Sequence, residues 1–454
     1  MHFIKRTKIN VPVETLFSWH GRKGAIERLT PPWAPMEMIS RNMDGIQKGV
    51  KVKFKIKFFN IPMIWESEHI EYKENRIFKD RQTKGPFAKW EHTHKFIPQD
   101  ATSCIMEDHV EFKLPFGMLS RPLYGFAKKK FEKMFDYRHR VLKYDLENHA
   151  GKTKKLKILI SGASGTIGKA LISLLQTCGH EVIVLVRTKK ELSDNALFWD
   201  PYKGILDIER AGHIDAVINL NGIDISKGRW TAKQKKLIID SRVIPTSLLA
   251  QKIKNMAQKP EVFITASAIG FYGNNTTGVV SEADEKGDFF ISRVCKEWED
   301  ASLEAQQAGI RTIMLRTGVV LTPVGGALAK MILPFKLGMG VILSHGRQYM
   351  SWISIDDEIS AILFIIENSN IKGAVNLTAP EPVTNREFSK TLAKVFSRRV
   401  FFAMPKFMIG LIWGQMGQET ILASIRVKSE KLLNNGFIFQ HKTLFHALKH
   451  MLGR

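Results

Sequence analysis

Lys157-Ile158-Leu159-Ile160-Ser161-Gly162-Ala163-Ser164-Gly165-Thr166-Ile167-Gly168 decides the fold class of this chain. An apolar strand runs into a glycine turn and then directly into an amphipathic helix, with Ile167, Leu171, Leu174 and Leu175 on its inner face. Glycines let the backbone turn sharply and approach a pyrophosphate, while a helix N-terminus offers N–H groups and the positive end of its dipole. The spacing is G-x-x-G-x-x-G rather than G-x-G-x-x-G. With strand, turn, helix and next strand in register, nucleotide binding is the expected role, against the alternative of an ordinary tight βα turn. Gly162, Ser164, Gly165, Thr166, Ile167 and Gly168 are the candidate phosphate contacts.

The end of the next strand selects the nucleotide. A carboxylate there would grip the ribose 2′-hydroxyl of NAD; here Val186-Arg187-Thr188-Lys189-Lys190 follows, nineteen residues after Gly168. Arg187 can pair bidentately with a 2′-phosphate, Thr188 lies beside it, and the lysines add attraction. NADP(H) is therefore expected ahead of NAD, the alternative being a solvated basic loop.

Buried-looking strands start near Ile158, Val182, Ala216, Val262 and Thr312, separated by helical stretches. Near-continuous apolar runs of this kind form a parallel sheet covered on both faces. Upstream the rhythm differs. Val50-Lys51-Val52-Lys53-Phe54-Lys55-Ile56-Lys57-Phe58 alternates strictly, which marks a half-buried antiparallel strand. Shorter alternations surround Ile70 and Tyr72, then His92, His94 and Phe96, then Val110, Phe112 and Leu114. A long helix follows, its stripe formed by Ala127, Phe131, Met134, Phe135, Val141 and Leu142. These elements predict a curved sheet gripping a helix, with Trp65, Trp90 and the aromatics near Phe116 lining an apolar cavity or core. Gly151-Lys152-Thr153-Lys154-Lys155 reads as the linker, and no internal repeat is evident.

Composition excludes several classes. The 454 residues are 44% hydrophobic and 25% charged, as in folded globular protein, so wholesale disorder and fibrous repeats are out. Cys104, Cys178 and Cys295 are far apart and form no C-x-x-C pair, which argues against a disulfide framework or a structural zinc site. The net charge is +24; 28 basic against 18 acidic residues lie in 1–150, and 40 against 26 beyond, so the excess is spread along the chain. Charge alone is the case for nucleic acid, and no specific nucleic-acid partner is expected. Met1 to Arg6 carries no apolar leader, and the longest uncharged stretches, such as Phe407 to Gln418, reach about a dozen residues where a membrane span needs about twenty. No transmembrane segment and a cytoplasmic location are expected. His92 and His94 share a strand face as metal ligands might, but no carboxylate stands in a matched pattern, so no metal site is expected there.

With these residues in view, 156–454 resembles the atypical extended short-chain dehydrogenase/reductase proteins of the NAD(P)-dependent epimerase/dehydratase superfamily, in the "epimerase family protein" branch with its own C-terminal domain. The matching stretches are Ile160 to Gly168, Trp199-Asp200-Pro201, Ala216 to Gly222, Ser267 to Gly273, Arg316 to Leu321, Trp352 to Asp357 and Pro382-Val383-Thr384-Asn385. The end, Val427 to Phe437, resembles that branch's terminal domain. Residues 1–150, with Phe17-Ser18-Trp19-His20, Leu29-Thr30-Pro31-Pro32-Trp33 and Gly85-Pro86-Phe87, resemble the START/Bet v1-like ligand-binding superfamily. The resemblance implies an α/β fold: a Rossmann-type doubly wound parallel sheet over 151–380, preceded by an α+β helix-grip domain over 1–150 and followed by a small substrate-side extension over 381–454. It implies an NADP(H)-dependent oxidoreductase or epimerase-like enzyme with a small-molecule substrate and a hydrophobic ligand in the front domain. A non-catalytic NADP(H)-binding sensor or scaffold is the alternative, and a homodimer is compatible with either.

The resemblance also implies further cofactor contacts at strand ends: Asn219, Leu220, Asn221 and Gly222, then Ala266, then Thr317 and Gly318. Ser267 matches by position the serine that polarises a substrate carbonyl. The helix that carries Y-x-x-x-K in typical relatives reads Ile291-Ser292-Arg293-Val294-Cys295-Lys296-Glu297-Trp298-Glu299. Ile291 stands at the tyrosine position and Cys295 at the lysine position. Lys296 is one residue out of frame, a rotation of about 100° on a helix of 3.6 residues per turn. Tyr272 is the candidate replacement hydroxyl, with packing or substrate contact as its alternative role. Glu282 and Glu299 are candidate acids, Cys295 reads as a buried thiol rather than a nucleophile, and Arg316 and Asp356-Asp357 read as structural ion pairs or substrate-loop residues.

Overall fold

The computed structural model describes residues 1–34, 36–58, 61–115, 117–149, 154–275 and 278–454. Gly151, Lys152 and Thr153 of the expected linker, and Phe116, lie outside the described residues. The chain forms two compact units, Met1–Lys155 with Ile172–His180 and Gly453, and Leu156–Leu171 with Glu181–Leu452 and Arg454.

The front unit contains β1 (His2–Ile9), α1 (Val13–Gly21), α2 (Ala25–Leu29), β2 (Glu37–Arg41), β3 (Lys51–Phe58), β4 (Ile61–Lys73), β5 (Ile77–Lys84), β6 (Lys89–Asp100), β7 (Ser103–Lys113) and the long α3 (Tyr124–Asn148). The strands form an antiparallel sheet in the order β1-β7-β6-β5-β4-β3-β2. Val52, Phe54 and Ile56 of β3 are buried, as the alternation requires, while Lys51 and Lys55 face water. Phe131, Phe135, Val141 and Leu142 of α3 are buried. The aromatic residues fill the space as a packed core: Trp65 meets Trp90 edge-on at 5.1 Å between ring centroids, and Phe112 meets Phe131 at 4.7 Å. Ring pairs at these separations add stabilisation to the area they bury.

The rear unit has β8 (Lys157–Ser161), the start of α4 (Thr166–Thr177, grouped from Ile172 on with the front unit), β9 (Glu181–Val186), β10 (Ala196–Asp200), β11 (Ile205–Leu206), β12 (Ala216–Asn219), α5 (Ala232–Lys254), β13 (Val262–Ala268), α6 (Phe290–Asp300), β14 (Arg311–Thr317), α7 (Ile355–Glu367) and β15 (Gly373–Leu377). Sheet order is β11-β10-β9-β8-β12-β13-β14-β15, parallel throughout except for the β10–β11 edge. This is a Rossmann-type doubly wound sheet. Its order reverses between β8 and β12, and ligands in such sheets bind beyond the strand C-termini at that point. Sequence reading missed β10, β11 and β15, each short and without a long apolar run. The C-terminal part adds α8 (Asn385–Val395) and α9 (Leu444–Leu452), whose Phe388, Leu392, Ala447 and Leu448 pack with Leu321, Leu328 and Trp352.

One buried ion pair ties α2 to α3 in the front unit. Arg28 meets Asp145 bidentately, Nε to Oδ2 at 2.8 Å and Nη2 to Oδ1 at 2.9 Å, with both side chains almost wholly out of water. Removing one partner strands the other charge. Asp145→Ala is expected to cost about 3–5 kcal/mol in urea or guanidinium denaturation, and a loss under about 1 kcal/mol would remove this pair as a structural tie.

Candidate functional site

The β8–α4 turn has the shape that a pyrophosphate requires. Gly162 sits at φ +78°, and a Cβ there would lie 2.7 Å from the backbone carbonyl of Leu220. A Cβ on Gly168 would lie 2.4 Å from the Gly162 carbonyl oxygen. Only glycine allows the turn and helix to close this tightly. Ser164 and Gly165 are exposed at the tip, Thr166 and Ile167 are half-buried, and Gly168 is buried against the turn.

Across the switch point a polar network holds β8 to β12. Ser161 Oγ donates to Asn219 Oδ1 at 2.8 Å, and Asn221 Nδ2 donates to Ser161 Oγ at 2.6 Å and to Asn219 Oδ1 at 2.7 Å. Asn219 Nδ2 in turn donates to Thr246 Oγ1 at 2.7 Å. The Asn219–Gly222 segment is thereby fixed beside the glycine turn, with Leu220 and Asn221 half-buried and Gly222 exposed. Arg187 and Thr188, just past β9, are exposed, and the Arg187 guanidinium has no hydrogen-bond or ion-pair partner among the described residues. A free guanidinium beside a phosphate-shaped turn suits an anionic group. The backbone geometry therefore fits a dinucleotide.

At the other end of the cleft, Ala266 is half-buried near the β13 terminus and Ser267, its neighbour on that strand, is buried. Ser267 Oγ donates to Glu299 Oε1 at 2.7 Å. Glu299 is held by Arg316 through Nε–Oε1 and Nη2–Oε2 contacts of 2.9 Å each. Arg316 Nη1 also donates to the Tyr272 hydroxyl at 3.0 Å, and that hydroxyl donates to Asn376 Oδ1 at 2.7 Å. The structure thus joins Ser267 and Tyr272 in one buried network. Burial pushes the Tyr272 phenol up to about 12, against the opposing pull of Arg316. With its proton directed at Asn376, the hydroxyl is arranged as a hydrogen-bonding group rather than as a base near neutral pH.

On α6, Ile291 and Cys295 are both buried, and burial pushes the Cys295 thiol up to about 12. A thiol so placed is inert. Lys296 is exposed and pairs with Asp300 at 2.7 Å. Arg316 is an internal ion-pair residue, Asp356 meets His450 at 3.1 Å, and Asp357 accepts from Ser354 Oγ at 2.7 Å. Glu282 Oε1 accepts from the Asn376 backbone N–H at 3.1 Å. Sequence reading missed Asn376 and Glu358. Thr317 Oγ1 donates to Glu358 Oε1 at 2.9 Å, and burial raises that carboxyl to about 8. No local pattern marks Glu358, because its burial comes from the packing of α7 beneath the sheet ends. Gly318 follows Thr317, and a Cβ there would lie 2.6 Å from the Ser351 carbonyl oxygen.

Residues 158–378 match the NAD dependent epimerase/dehydratase family, 404–451 match the Domain of unknown function (DUF1731), and 9–136 match the Polyketide cyclase / dehydrase and lipid transport family. An epimerase family protein of Mycobacterium leprae is 37% identical over 305 residues, which are 67% of this chain and 98% of that protein. The chain belongs to the NAD dependent epimerase/dehydratase family. Among solved members of similar structure, the nucleoside-diphosphate sugar epimerase from Corynebacterium glutamicum is 30% identical, with a TM-score of 0.81 covering 99% of this chain and 90% of its own. The human epimerase family protein SDR39U1 (isoform2), solved with NADPH, is also 30% identical, with a TM-score of 0.60 over 65% of this chain and 99% of its own. Among the described residues no helix is long and apolar enough to cross a membrane.

Glu358 carries a pH signature. Its folded pKa, about 8, stands above the ordinary carboxylate value of 4.5, so its contribution is complete below the unfolded value and is lost as pH rises through 8. Stability measured by denaturation is expected to fall between about pH 5 and 8 in the wild type and to fall less in Glu358→Gln. Identical pH profiles for the two proteins would contradict the assignment.

Proposed function

We propose that the chain binds NADP(H) along the β8/β12 switch point and acts as an oxidoreductase or epimerase-like enzyme on a small molecule. In this reading the pyrophosphate lies against Gly162, Ser164, Gly165, Thr166, Ile167 and Gly168, and Arg187 with Thr188 receives the 2′-phosphate. Asn219, Leu220, Asn221 and Gly222 border the adenosine side, and Ala266, Thr317 and Gly318 border the nicotinamide. Residues 1–150 serve as a module for a hydrophobic small ligand, 151–380 as the cofactor domain and 381–454 as a substrate-side lobe. The single observation that carries the cofactor assignment is the clearance at Gly162 and Gly168, where a side-chain carbon would strike backbone at 2.7 and 2.4 Å. The NADPH in the human relative supports it.

When bound, NADP(H) supplies or accepts a hydride. The chain's own part is orientation: Ser267 offers its hydroxyl oxygen at the β13 end, and Glu299 and Arg316 hold that group in place. A second reading, an NADP(H)-binding sensor without turnover, is favoured by one specific fact. Ile291 and Cys295 occupy the positions of the usual acid/base pair, and the Tyr272 hydroxyl is held in a buried network.

Calorimetric titration is expected to give tighter binding of NADPH than of NADH. Arg187→Glu is expected to weaken NADPH by about tenfold or more, the loss of a charge-assisted contact worth about 1.5–3 kcal/mol, with NADH changed far less. Equal losses for both cofactors would refute the 2′-phosphate assignment. NADPH oxidation across a metabolite screen headed by nucleoside-diphosphate sugars, the class named for the Corynebacterium relative, separates the two functions. Turnover that falls in Ser267→Ala supports the enzyme, and tight NADPH binding with no turnover supports the sensor.

A further inference from the structure

Along the chain the neighbouring carboxylate is Glu91, one residue before His92 and so on the other face of β6, where it pairs with Lys79 and Lys89; sheet register supplies two more. Asp80 of β5 stands opposite His92, and Asp108 of β7 stands opposite His94. Asp80 Oδ2 lies 3.5 Å from His92 Nδ1 and 4.0 Å from His94 Nε2. Metal–ligand distances of about 2.0–2.2 Å in a tetrahedral site separate neighbouring ligand atoms by about 3.4 Å; the two separations from Asp80 are close to that value, and all three ligand atoms lie within 4.8 Å of one another.

Asp108 lies behind the histidines. Its Oδ1 is 3.0 Å from His92 Nε2 and 2.7 Å from His94 Nδ1, and its Oδ2 accepts from His139 Nε2 at 2.8 Å. A carboxylate on the far nitrogen of each ring is the arrangement that fixes tautomer and orientation in histidine metal sites. A neutral imidazole has one N–H. If the N–H of each ring is directed at Asp108, the lone pairs of His92 Nδ1 and His94 Nε2 face the Asp80 carboxylate, three acceptors with no proton among them.

His92 Nε2 is hydrogen-bonded to Asp108, whereas His94 Nδ1, 2.7 Å from the same carboxylate, is buried out of alignment with it; the Asp80 carboxylate accepts no hydrogen bond among the described residues. Arg138 is near enough for its charge to act on both carboxylates, yet its Nε is buried without a partner. The side chains of His92 and Asp108 each keep only 5% exposure, while those of Asp80 and His94 keep 16% and 12% as a route of entry.

We propose that Asp80, His92 and His94 bind one divalent first-row transition ion of the zinc or iron class, with Asp108 as the positioning residue that holds His92 by a hydrogen bond and lies against the far nitrogen of His94. Two imidazole nitrogens select such ions over calcium or magnesium. The site lies in the front unit and is independent of the cofactor reading.

Titration of the chelator-treated full chain with Co2+ is expected to give one ion per chain with the visible bands of a low-symmetry nitrogen/oxygen site. Asp80→Asn and His94→Ala are expected to lose the bands, and Asp108→Asn to weaken binding about 10- to 100-fold, each with far- and near-UV circular dichroism as folding checks. Should the variants fail to fold, Zn2+ protection of wild-type His94 from diethylpyrocarbonate, located by mass spectrometry, reads the same site without any substitution. Absence of Co2+ bands in the wild type, absence of protection, or bands that persist in both folded variants (metal held elsewhere, as at Asp356, His441 and His450) would overturn the proposal.

Discussion

The close approach of backbone to backbone at Gly162 and Gly168 is the constraint on which the rear unit depends. A strand that enters a helix within so few residues leaves peptide N–H groups at the helix mouth and no side chain to cover them. Gly162 leans on Leu220 and Gly168 on the Gly162 carbonyl, so the turn and the end of β12 are shaped together. The Ser161, Asn219, Asn221 and Thr246 hydrogen bonds hold that pairing from beneath. Each of those polar groups is satisfied by another, which is what makes a buried network rigid rather than costly.

The β13 end of the rear unit is organised by a buried charge. Arg316 is stacked 3.4 Å over the Phe271 ring, paired with Glu299 and hydrogen-bonded to Tyr272. On α6 the buried side chains of Ile291 and Cys295 stand at the positions of the usual tyrosine and lysine. An ion pair of this kind tolerates loss of neither partner, and that ties Ser267 and Tyr272 to structure as well as to any chemistry.

In the front unit, antiparallel register does similar work. Strands β5, β6 and β7 present Asp80, His92, His94 and Asp108 at matched positions, and the buried aromatic core around Trp90, Phe131 and Phe135 keeps water from dispersing their charges. Polar groups so enclosed are held in chosen orientations at a desolvation cost that their mutual contacts offset.

Local sequence determined what local physics controls. Period-two alternation marked β3, a helical stripe marked α3, and the strand–glycine–helix run marked the Rossmann turn, because backbone clearance and amphipathic periodicity are properties of neighbouring residues. The out-of-frame Lys296 was legible for the same reason, since rotation per residue on a helix is fixed. Tertiary structure alone decided the partnership of Ser267 with Glu299 and Arg316, the elevated carboxyl of Glu358, the hydrogen bond from Tyr272 to Asn376, and the carboxylates beside His92 and His94. Those contacts join residues as far as 104 positions apart. They arise from strand register and helix docking, and burial then changes the chemistry of groups that look ordinary along the chain.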